Sequence, residues 1–393
     1  MEVKQWVKIP DVLFFQEGPG VRNSQYTEEG IKLLNVANLV DGKIDLTTSN
    51  RYISESEAYG KYKHFLCDDG DFIVASSGIK VEYINKKMGF VTKSMLPLCM
   101  NTSTIRFKVL DKSRLNIKYF MYYLKSQNFK NQLYKYITGS AQLNFGPSHL
   151  KKIIFPLCDI GEQKIIVNNM DLITKIMDSY NEQLEKYDEL IKARFIEMFG
   201  DPIVNEKGWR TKPLLDMGQC KNGMNFHYDD KGIDINCLGV CDFKNFSVID
   251  NTKGLPTVSL NEMPSEEYLL KDDDIVFVRS NGNKALVGRS LVVYPGNVPT
   301  TFSGFCIRYR KYDNEIIVPY LLRVLKTDSV RMKMAGRGAN IQNLNQQILG
   351  TLVIPVPPIE IQQQFADFVK QVDKSRFDIK KSIIELEREV VYD

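Results

Sequence analysis

The amino-acid sequence predicts an α+β protein in which two pseudo-two-fold-related mixed α/β domains are separated by two long antiparallel helices. Three observations predict this class: an internal repeat of half the chain, a strand-like run stopped by proline at the end of each repeat, and a heptad pattern after each proline. With 393 residues, the chain is also long enough for two or three domains, each with its own core.

The internal repeat is visible as segments that recur in the same order in both halves. LCDDGDFIVASSG at 66–78 resembles LKDDDIVFVRSNG at 270–282, and YFMYYLKS at 119–126 resembles YLLRVLKT at 320–327. Each match alone is weak, but several in one order are hard to produce by chance. Because the period is half the chain, the pattern indicates a duplicated domain and not a solenoid.

The end of each repeat is marked by proline, in IIFP at 153–156 and in LVIPVPP at 352–358. Proline donates no hydrogen bond to a sheet and disfavours a helical residue before it, so it separates a strand from the helix that follows. The predicted organisation is a first mixed domain, a first helix, a second mixed domain and a second helix, at residues 1–156, 157–200, 201–356 and 357–393.

Both predicted helices carry one apolar stripe. In the first, apolar residues are spaced alternately by four and three positions, as in a coiled coil, and the helix would be about 60 Å long. Such a helix is unstable alone, so we expect the two to bury their stripes on each other as a spacer; the alternative is that each packs on its own domain. The stripe residues are Ile166, Met170, Ile173, Met177, Tyr180, Leu184, Tyr187 and Ile191, then Phe365, Phe368, Val372, Ile379, Ile383 and Leu386.

Catalytic and metal-binding patterns are missing from the sequence. Its three histidines form no HExxH motif, and it contains no GxxxxGK[ST] phosphate loop. Cys237 and Cys241 lack a second pair at zinc-finger spacing, which favours buried free thiols. The acidic runs at 68–71 and 272–274 precede strand-like segments and are interpreted as turns and not as metal ligands. We therefore expect a non-catalytic chain without its own cofactor or metal.

The composition predicts a cytoplasmic protein without a membrane partner. The N-terminus has no signal-peptide pattern, no apolar run approaches the ~20 residues that span a bilayer, and an odd number of cysteines, seven, suits a reducing compartment. The net charge of +4 is too small to establish a nucleic-acid partner, although it permits one if basic groups cluster.

Duplicated domains without catalytic residues suit a partner that offers two similar sites, and double-stranded DNA is such a partner. Arginine and lysine can contact guanine or phosphate, and asparagine and glutamine can contact adenine. The candidate DNA-binding residues are Lys80, Lys86, Lys87, Lys93, Gln142 and Asn144 in the first domain, and Arg279, Asn281, Asn283, Lys284, Arg289, Arg337, Asn340, Gln342 and Asn343 in the second.

The order of these parts resembles the specificity subunit of type I restriction–modification systems. The resemblance rests on PLCDIGEQKI at 156–165, ARFIEMFGDP at 193–202, IPVPPIEIQQQ at 354–364 and the paired acidic segments, and it covers essentially the whole chain. Two positions depart from the family pattern, Cys158-Asp159 in place of a double proline and Ile361-Gln362 in place of Glu-Gln. Both concern the entry into a helix.

This resemblance implies a division of labour. Each mixed domain would be a target-recognition domain that reads one half of a bipartite DNA site, and the long helices would set the spacing and dock two methyltransferase (modification) subunits. Restriction/translocase subunits would complete the assembly. S-adenosylmethionine, ATP and Mg²⁺ would be used by these partner subunits and not by this chain.

Two alternatives remain open from the sequence. The chain could serve a fused nuclease–methyltransferase of the type IIB kind, since the specificity chains look alike. It could also be a non-DNA scaffold with two interaction domains on a coiled-coil rod, which would show no salt-dependent affinity for DNA.

Overall fold

The structure is a computed structural model that describes residues 5–136, 143–226, 232–244, 247–335 and 343–392. It divides into two compact units. Unit 1 comprises Met1–Glu182 and Lys380–Asp393, and unit 2 comprises Gln183–Ile379. The units do not end at the predicted domain ends, because each long helix contributes residues to both units.

The described part of the first half of the chain contains strands and helices in alternation. The strands are β1 (Gln5–Lys8), β2 (Leu13–Glu17), β3 (Ile31–Leu34), β4 (Leu39–Val40), β5 (Lys43–Ile44), β6 (Tyr52–Ile53), β7 (Phe72–Ala75), β8 (Ser77–Ile79), β9 (Met88–Phe90), β10 (Leu98–Met100), β11 (Thr104–Val109), β12 (Leu143–Asn144) and β13 (Ile154–Leu157). The helices are α1 (Glu55–Tyr59), α2 (Ile117–Lys125), α3 (Gln127–Tyr136), α4 (Pro147–Leu150) and the long α5 (Ile160–Phe199).

The second half repeats this order. Its described strands are β14 (Thr211–Pro213), β15 (Gly218–Asn222), β16 (Ile233–Leu238), β17 (Val248–Ile249), β18 (Thr257–Leu260), β19 (Asp274–Val278), β20 (Ser290–Val293), β21 (Thr300–Phe302), β22 (Cys306–Lys311) and β23 (Val353–Pro355). Its helices are α6 (Val318–Leu325), α7 (Asp328–Ala335), α8 (Gln346–Gly350) and the long α9 (Ile359–Tyr392).

The main and smaller sheets of the two units share one strand order, except that β17 adds a fifth strand at one edge of the main sheet of unit 2. The main sheet is β2-β11-β7-β9 in unit 1 and β15-β22-β19-β20-β17 in unit 2, and a smaller sheet is β10-β3-β6 in one and β21-β16-β18 in the other. Each small sheet contains one parallel pair, β10 with β3 and β21 with β16. The predicted α+β class with two mixed domains is therefore confirmed, and each unit has its own apolar core.

Strand register corrects the alignment of the repeats by one residue. Thr104 at the start of β11 lies opposite Ala75, and Cys306 at the start of β22 lies opposite Val278, so Ala75 corresponds to Val278. The match of 66–78 with 270–282 would instead pair Ala75 with Arg279. Gapless matching by residue type gave the wrong register here, because Gly70 separates Asp69 from Asp71 in the first repeat, whereas the three aspartates at 272–274 are consecutive in the second.

The strand before each long helix pairs with the first strand of its half of the chain, and a buried glutamine anchors the helix that follows. β1 pairs with β13, and β14 pairs with β23. Gln163 donates to the carbonyl oxygens of Arg114 and Cys158, at 2.8 and 2.9 Å, and accepts from the backbone N–H of Asn116 at 2.8 Å. This glutamine fixes the first turn of α5 to the segment before α2.

Gln362 repeats this arrangement in unit 2. It donates to the carbonyl oxygens of Glu315 and Pro357, both at 2.8 Å, and accepts from the backbone N–H of Ile317 at 3.0 Å. Both glutamines are fully buried. The departures from the family sequence pattern, at Cys158-Asp159 and Ile361-Gln362, therefore leave the helix entry intact in both units.

Within unit 2 the two long helices run antiparallel. Phe195 and Phe199 of α5 pack their rings against Phe365 of α9, with centroids 5.5 and 5.6 Å apart, and further along Arg376 of α9 pairs with Asp188 of α5. The same Phe195 ring also lies 5.8 Å from that of Tyr320 on α6. The helices thus pack on each other and on the second mixed domain, so the alternative in which α5 packs solely on its own domain is wrong.

The predicted apolar stripes are the less exposed faces of both helices. Ile191, Phe365 and Val372 are buried, and the other stripe residues are half-buried. The sequence pattern stopped short of Phe195 and Phe199, which are among the most buried aromatic residues of unit 2.

The seven cysteines are all free thiols. Cys237 is buried as expected, but Cys241 is exposed, so the prediction of a buried thiol is wrong for Cys241. Its position on the surface turn after β16 explains the difference, since this turn contributes Phe243 and not Cys241 to the core.

Candidate nucleic-acid interface

In unit 1, three of the predicted lysines gather around one cavity. Lys80, Lys86 and Lys87 line a cavity of about 470 Å³ together with the exposed Tyr83 and with Asp41. The Lys87 ammonium donates to a backbone carbonyl oxygen, at 2.7 Å, and is half-buried. Lys80 and Lys86 are exposed, so these two are the lysines of the group best placed for an external anion.

The remaining candidates of unit 1 do not join this group. Lys93 is exposed on a separate 3-10 turn, Lys93–Met95, and does not line the cavity. Gln142 and the side chain of Asn144 lie outside the described residues.

In unit 2, the loop between β19 and β20 carries most of the predicted residues. The Asn281 side-chain oxygen accepts from the backbone N–H of Asn283 at 2.8 Å, and the Asn283 oxygen accepts from Ala285 at 3.1 Å. Asn283 and Lys284 are exposed. The side-chain oxygen of each asparagine therefore holds the loop in shape, and its NH₂ group is the one left to contact a base.

Arg279 connects this loop to two others. Its backbone N–H donates to Phe305 at 2.7 Å, its guanidinium donates to the Gly304 carbonyl at 3.4 Å, and its carbonyl accepts from Leu344 at 2.8 Å. Half-buried, it joins three loops at one end of the domain, and the exposed Asn343 lies beside it. Arg337, Asn340 and Gln342 lie outside the described residues.

Phe305 is a candidate that the sequence did not reveal. It is 61% exposed at the tip of the loop between β21 and β22, next to Arg279. An exposed aromatic ring among polar loop residues is a group that can stack on bases or wedge between them. The available signal was an aromatic residue after Ser303-Gly304, which marks a loop tip.

Arg289 is the last residue of the β19–β20 loop, and its side chain lies at a cavity. Its guanidinium approaches the Phe243 carbonyl, at 3.5 Å, and it lines a second cavity, of about 630 Å³, whose wall includes residues from α5, α6, α7 and α9. Five basic residues of this wall were not among the predicted site residues: Lys192, Arg323, Lys326, Arg331 and Arg376. The signal for Arg323 and Lys326 was weak, because they occur within the mainly apolar sequence of α6 and its end.

The acidic runs serve the fold. Asp71 is buried and pairs with Arg106 at 3.2 Å and with Lys108 at 3.3 Å, whereas Asp274 pairs with Arg310 at 2.7 Å. Within the described residues, no group of three or more histidine, cysteine or acidic side chains could hold a metal ion. In the same part of the chain, no helix is both long and apolar enough to cross a membrane.

Comparisons with known proteins agree with this architecture. The family described as "Type I restriction modification DNA specificity domain" matches the chain twice, at residues 8–186 and 206–388. The StySPI specificity subunit of Salmonella potsdam is 23% identical over 377 residues, covering 91% of this chain and 78% of that protein. The EcoKI specificity subunit of Escherichia coli K12 is 23% identical over 184 residues, covering 43% of this chain and 39% of that protein.

Solved structures have the same fold. The S subunit of a type I restriction–modification system from M. genitalium matches 98% of this chain and 94% of its own, with a TM-score of 0.50 and 17% identity. A chain from a structural study of the complex assembly and conformational transition of the type I R-M system matches with the same coverage. Its TM-score is 0.59, and its sequence is 15% identical.

Two family matches that together span most of the chain define it as a protein built from two DNA-specificity domains. The chain belongs to the type I restriction modification DNA specificity family, and its function is that of a specificity subunit, as the resemblance in the sequence predicted. The comparisons favour neither the fused type IIB setting nor the non-DNA scaffold.

Proposed function

We propose that this chain reads a bipartite double-stranded DNA site, with the mixed domain of each unit contacting one half-site. The observation that carries the proposal is that the two units share strand order and helix entry but present different side chains on the corresponding loops. Two domains with the same backbone frame but different loop side chains suit two defined half-sites of different sequence, separated by unspecified bases.

The long helices α5 and α9 would fix the gap between the half-sites and dock two methyltransferase subunits, to which restriction/translocase subunits add. Methyl transfer from S-adenosylmethionine and ATP- and Mg²⁺-dependent steps would belong to these partners. Phosphate contacts by exposed lysines such as Lys80 and Lys86 would position the DNA, while the loop around Arg279 would supply base contacts in unit 2.

Single-molecule sequencing of methylated DNA tests this directly. Cells expressing the chain together with its methyltransferase should gain a bipartite methyl-adenine motif that is missing with the methyltransferase alone. If both proteins co-purify and no new motif appears, the chain does not direct methylation and the proposal fails.

Replacing residues 1–153 by the corresponding part of a relative tests whether each unit reads one half-site. We expect the motif to change in one half and to remain the same in the other, because the loops of unit 2 are untouched. A change in both halves would show that the domains do not read independently.

Shortening the spacer tests its role as a ruler. Removal of one heptad between Ile173 and Ile191, with a matching removal in α9, should shorten the gap or abolish binding, since one heptad is about 10 Å of helix. An unchanged gap with full methylation would contradict the ruler.

Phe305→Ala tests the exposed aromatic residue of unit 2. Loss of base stacking by this ring is expected to weaken binding by about 1–3 kcal/mol. Phe377→Ala is the matched control, because Phe377 belongs to the same unit and is 68% exposed, but lies on α9. Equal affinities of the two variants in a binding titration would exclude a DNA contact by Phe305.

A further inference from the structure

The cavity of unit 2 has more basic than acidic residues in its wall. It measures about 630 Å³ and lies among α5, α6, α7, α9 and the end of the β19–β20 loop. Its acidic residues are Asp188, Glu189 and Asp373, and its basic residues are Lys192, Arg289, Arg323, Lys326, Arg331 and Arg376. Positive charge thus exceeds negative charge around a space large enough for a ligand.

Two of these cations are already neutralised by the protein. Arg376 pairs with Asp188 and, at 3.4 Å, with Asp373, whereas Lys192 pairs with Asp328 at 2.7 Å. These pairs use two of the three carboxylates of the wall. Asp188, Asp328 and Asp373 are the carboxylates that act on the cations on and after α6, and they are thus already paired with Arg376 or Lys192.

Arg323 and Lys326 are those cations. The Nε of Arg323 is buried without a hydrogen-bond partner in the part of the chain that the structure describes. Lys326 is half-buried, and burial lowers the pKa of its ammonium to about 8. A buried donor without an acceptor and a charge held away from water both cost free energy, which an anion in the cavity would recover.

Unit 1 has an internal anion at the corresponding place. The repeat aligns Tyr122 with Arg323 and Lys125 with Lys326. In unit 1, Asp171 of α5 accepts from the Tyr122 hydroxyl and from Lys118, both at 2.7 Å. The alignment of Gln163 with Gln362 puts the exposed Lys370 at the position of Asp171 in unit 2. Unit 2 therefore carries extra positive charge where unit 1 carries a carboxylate.

We propose that the cavity of unit 2 binds one phosphate group of the DNA backbone, held by Arg323 and Lys326. The proposal rests on the proposed function and adds a contact outside the recognition loops. A phosphate offers several acceptor oxygens, which suit the planar fork of an arginine and the point charge of a lysine together. Such a contact holds the duplex in register and carries no sequence preference.

DNA is favoured as the source of the anion by the position of the cavity. Ala285, Arg289 and Ser290 line it, and these residues follow directly on the loop that carries Asn281 and Asn283. A duplex lying along that loop would bring its backbone to the same side. An acidic side chain of a partner protein on α5 or α9 is the competing occupant, and the experiment separates the two.

The test compares binding of the full chain to a duplex containing its methylation motif at several salt concentrations. The double variant Arg323→Gln with Lys326→Gln should lower the slope of log K against log salt by about 1, the loss expected for one phosphate contact. Affinity should fall by the same factor for duplexes with altered half-sites. Arg323→Lys, with Lys326 retained, should keep the wild-type slope, because it keeps the charge.

Lys125→Gln is the matched control from unit 1, where the protein itself supplies a carboxylate, and its slope should equal that of the wild type. Duplexes with single methylphosphonate linkages locate the contact. One neutral linkage near the unit 2 half-site should weaken binding to the wild type and leave the double variant unaffected.

An unchanged slope in the double variant, or no linkage that distinguishes it from the wild type, overturns the phosphate site. If the double variant keeps its slope but loses co-purification with the methyltransferase, the cavity takes an acidic partner group and the proposal is wrong. Failure of the proposed function looks different, since then the wild-type chain itself would show no preference for the motif.

Discussion

Helix α2 of unit 1 and helix α6 of unit 2 occupy the same place in their units. They share one tyrosine hydrogen bond and differ in a side chain one turn after it. Tyr119 and Tyr320 donate their hydroxyls to the carbonyl oxygens of Pro156 and Pro355, at 2.8 and 3.0 Å. One turn further, the tyrosine that contacts Asp171 in unit 1 is replaced by Arg323 in unit 2.

This difference separates two kinds of position within one chain. Residues that close a domain onto its long helix are the same in both copies, because both copies must make the same buried hydrogen bonds. Residues beside them are free to diverge, and they diverge in charge. Where two aligned residues of a duplicated protein differ although the structure around them is the same, they therefore mark a candidate contact that only one of the two domains makes.

A second unequal pair lies in the main sheets. Arg106 of β11 donates to the carboxylate of Asp71 at 3.2 Å, to the side chain of Gln16 and to the carbonyl oxygens of His64 and Leu66. The aligned Arg308 of β22 is equally buried. Its Nε and Nη1 atoms have no hydrogen-bond partner within the described residues.

The largest expected effect comes from breaking this pair. Arg106→Met should destabilise unit 1 by about 3–5 kcal/mol, because it removes a partner of the buried Asp71 carboxylate. Arg308→Met should change the stability of unit 2 by less than about 1 kcal/mol, since few bonds are lost. The chain has two tryptophans, Trp6 and Trp209, one in each unit, so urea unfolding followed by fluorescence in Trp→Phe backgrounds reports each unit separately.

Equal losses from the two arginine variants would show that the difference between their environments has no energetic weight. If either variant shifts the transitions of both tryptophans to one common midpoint, the units unfold as one cooperative structure.

The next effect is expected to be equal in the two units. Gln163→Ala and Gln362→Ala each remove three hydrogen bonds and leave a backbone N–H, that of Asn116 or Ile317, without its acceptor. We expect each variant to destabilise its own unit by about 2–3 kcal/mol. Urea midpoints in the same tryptophan backgrounds measure this, and a loss in one unit alone would contradict the equivalence of the two helix entries.

Much of this frame was predictable from the sequence. The prolines, the glutamines and the heptad spacing are local signals, and each corresponds to a strand end, a helix entry or a less exposed helix face. The register of the repeat was missed by one residue at Ala75, because residue types alone do not define which strand positions lie opposite each other.

The candidate site was less predictable. Exposed lysines and asparagines in loops are visible in a sequence, but whether they gather depends on the topology, which brings Lys80 and Lys86 together and leaves Lys93 apart. Sequence reasoning missed Arg323 and Lys326, because a basic residue in a mainly apolar helix is ordinarily interpreted as solvent-exposed. Their significance depends on which carboxylates lie nearby, and that information is tertiary.

The smallest expected effect concerns the charge of Lys326. Burial lowers its pKa in the folded chain to about 8, while the unfolded value is near 10.4. Below pH 8 the folded chain holds this charge at a cost, and between about pH 8 and 10.4 the folded chain alone has lost the proton, so this contribution to stability rises with pH. The charged groups that line the cavity with Lys326 are Arg323, Asp188, Glu189, Lys192, Asp373, Arg376, Arg289 and Arg331.

Lys326→Met should therefore stabilise unit 2 at pH 7 by about 1 kcal/mol, because the variant removes a charge that burial penalises. The advantage over the wild type should shrink as pH rises from 8 towards 10, where the wild-type amine is neutral in the fold. Lys125→Met in unit 1 serves as the comparison. Burial lowers the pKa of both lysines and two aspartates oppose the shift at each, but Arg323 and Arg376 lower the pKa of Lys326 further, so we expect a smaller gain from Lys125→Met. Parallel urea titrations of the two variants at pH 7, 8 and 9 measure both effects. A constant stability difference between Lys326→Met and the wild type across this range would mean that Lys326 keeps an ordinary pKa, and with it an internal counter-ion, so that both units would then neutralise this position from within.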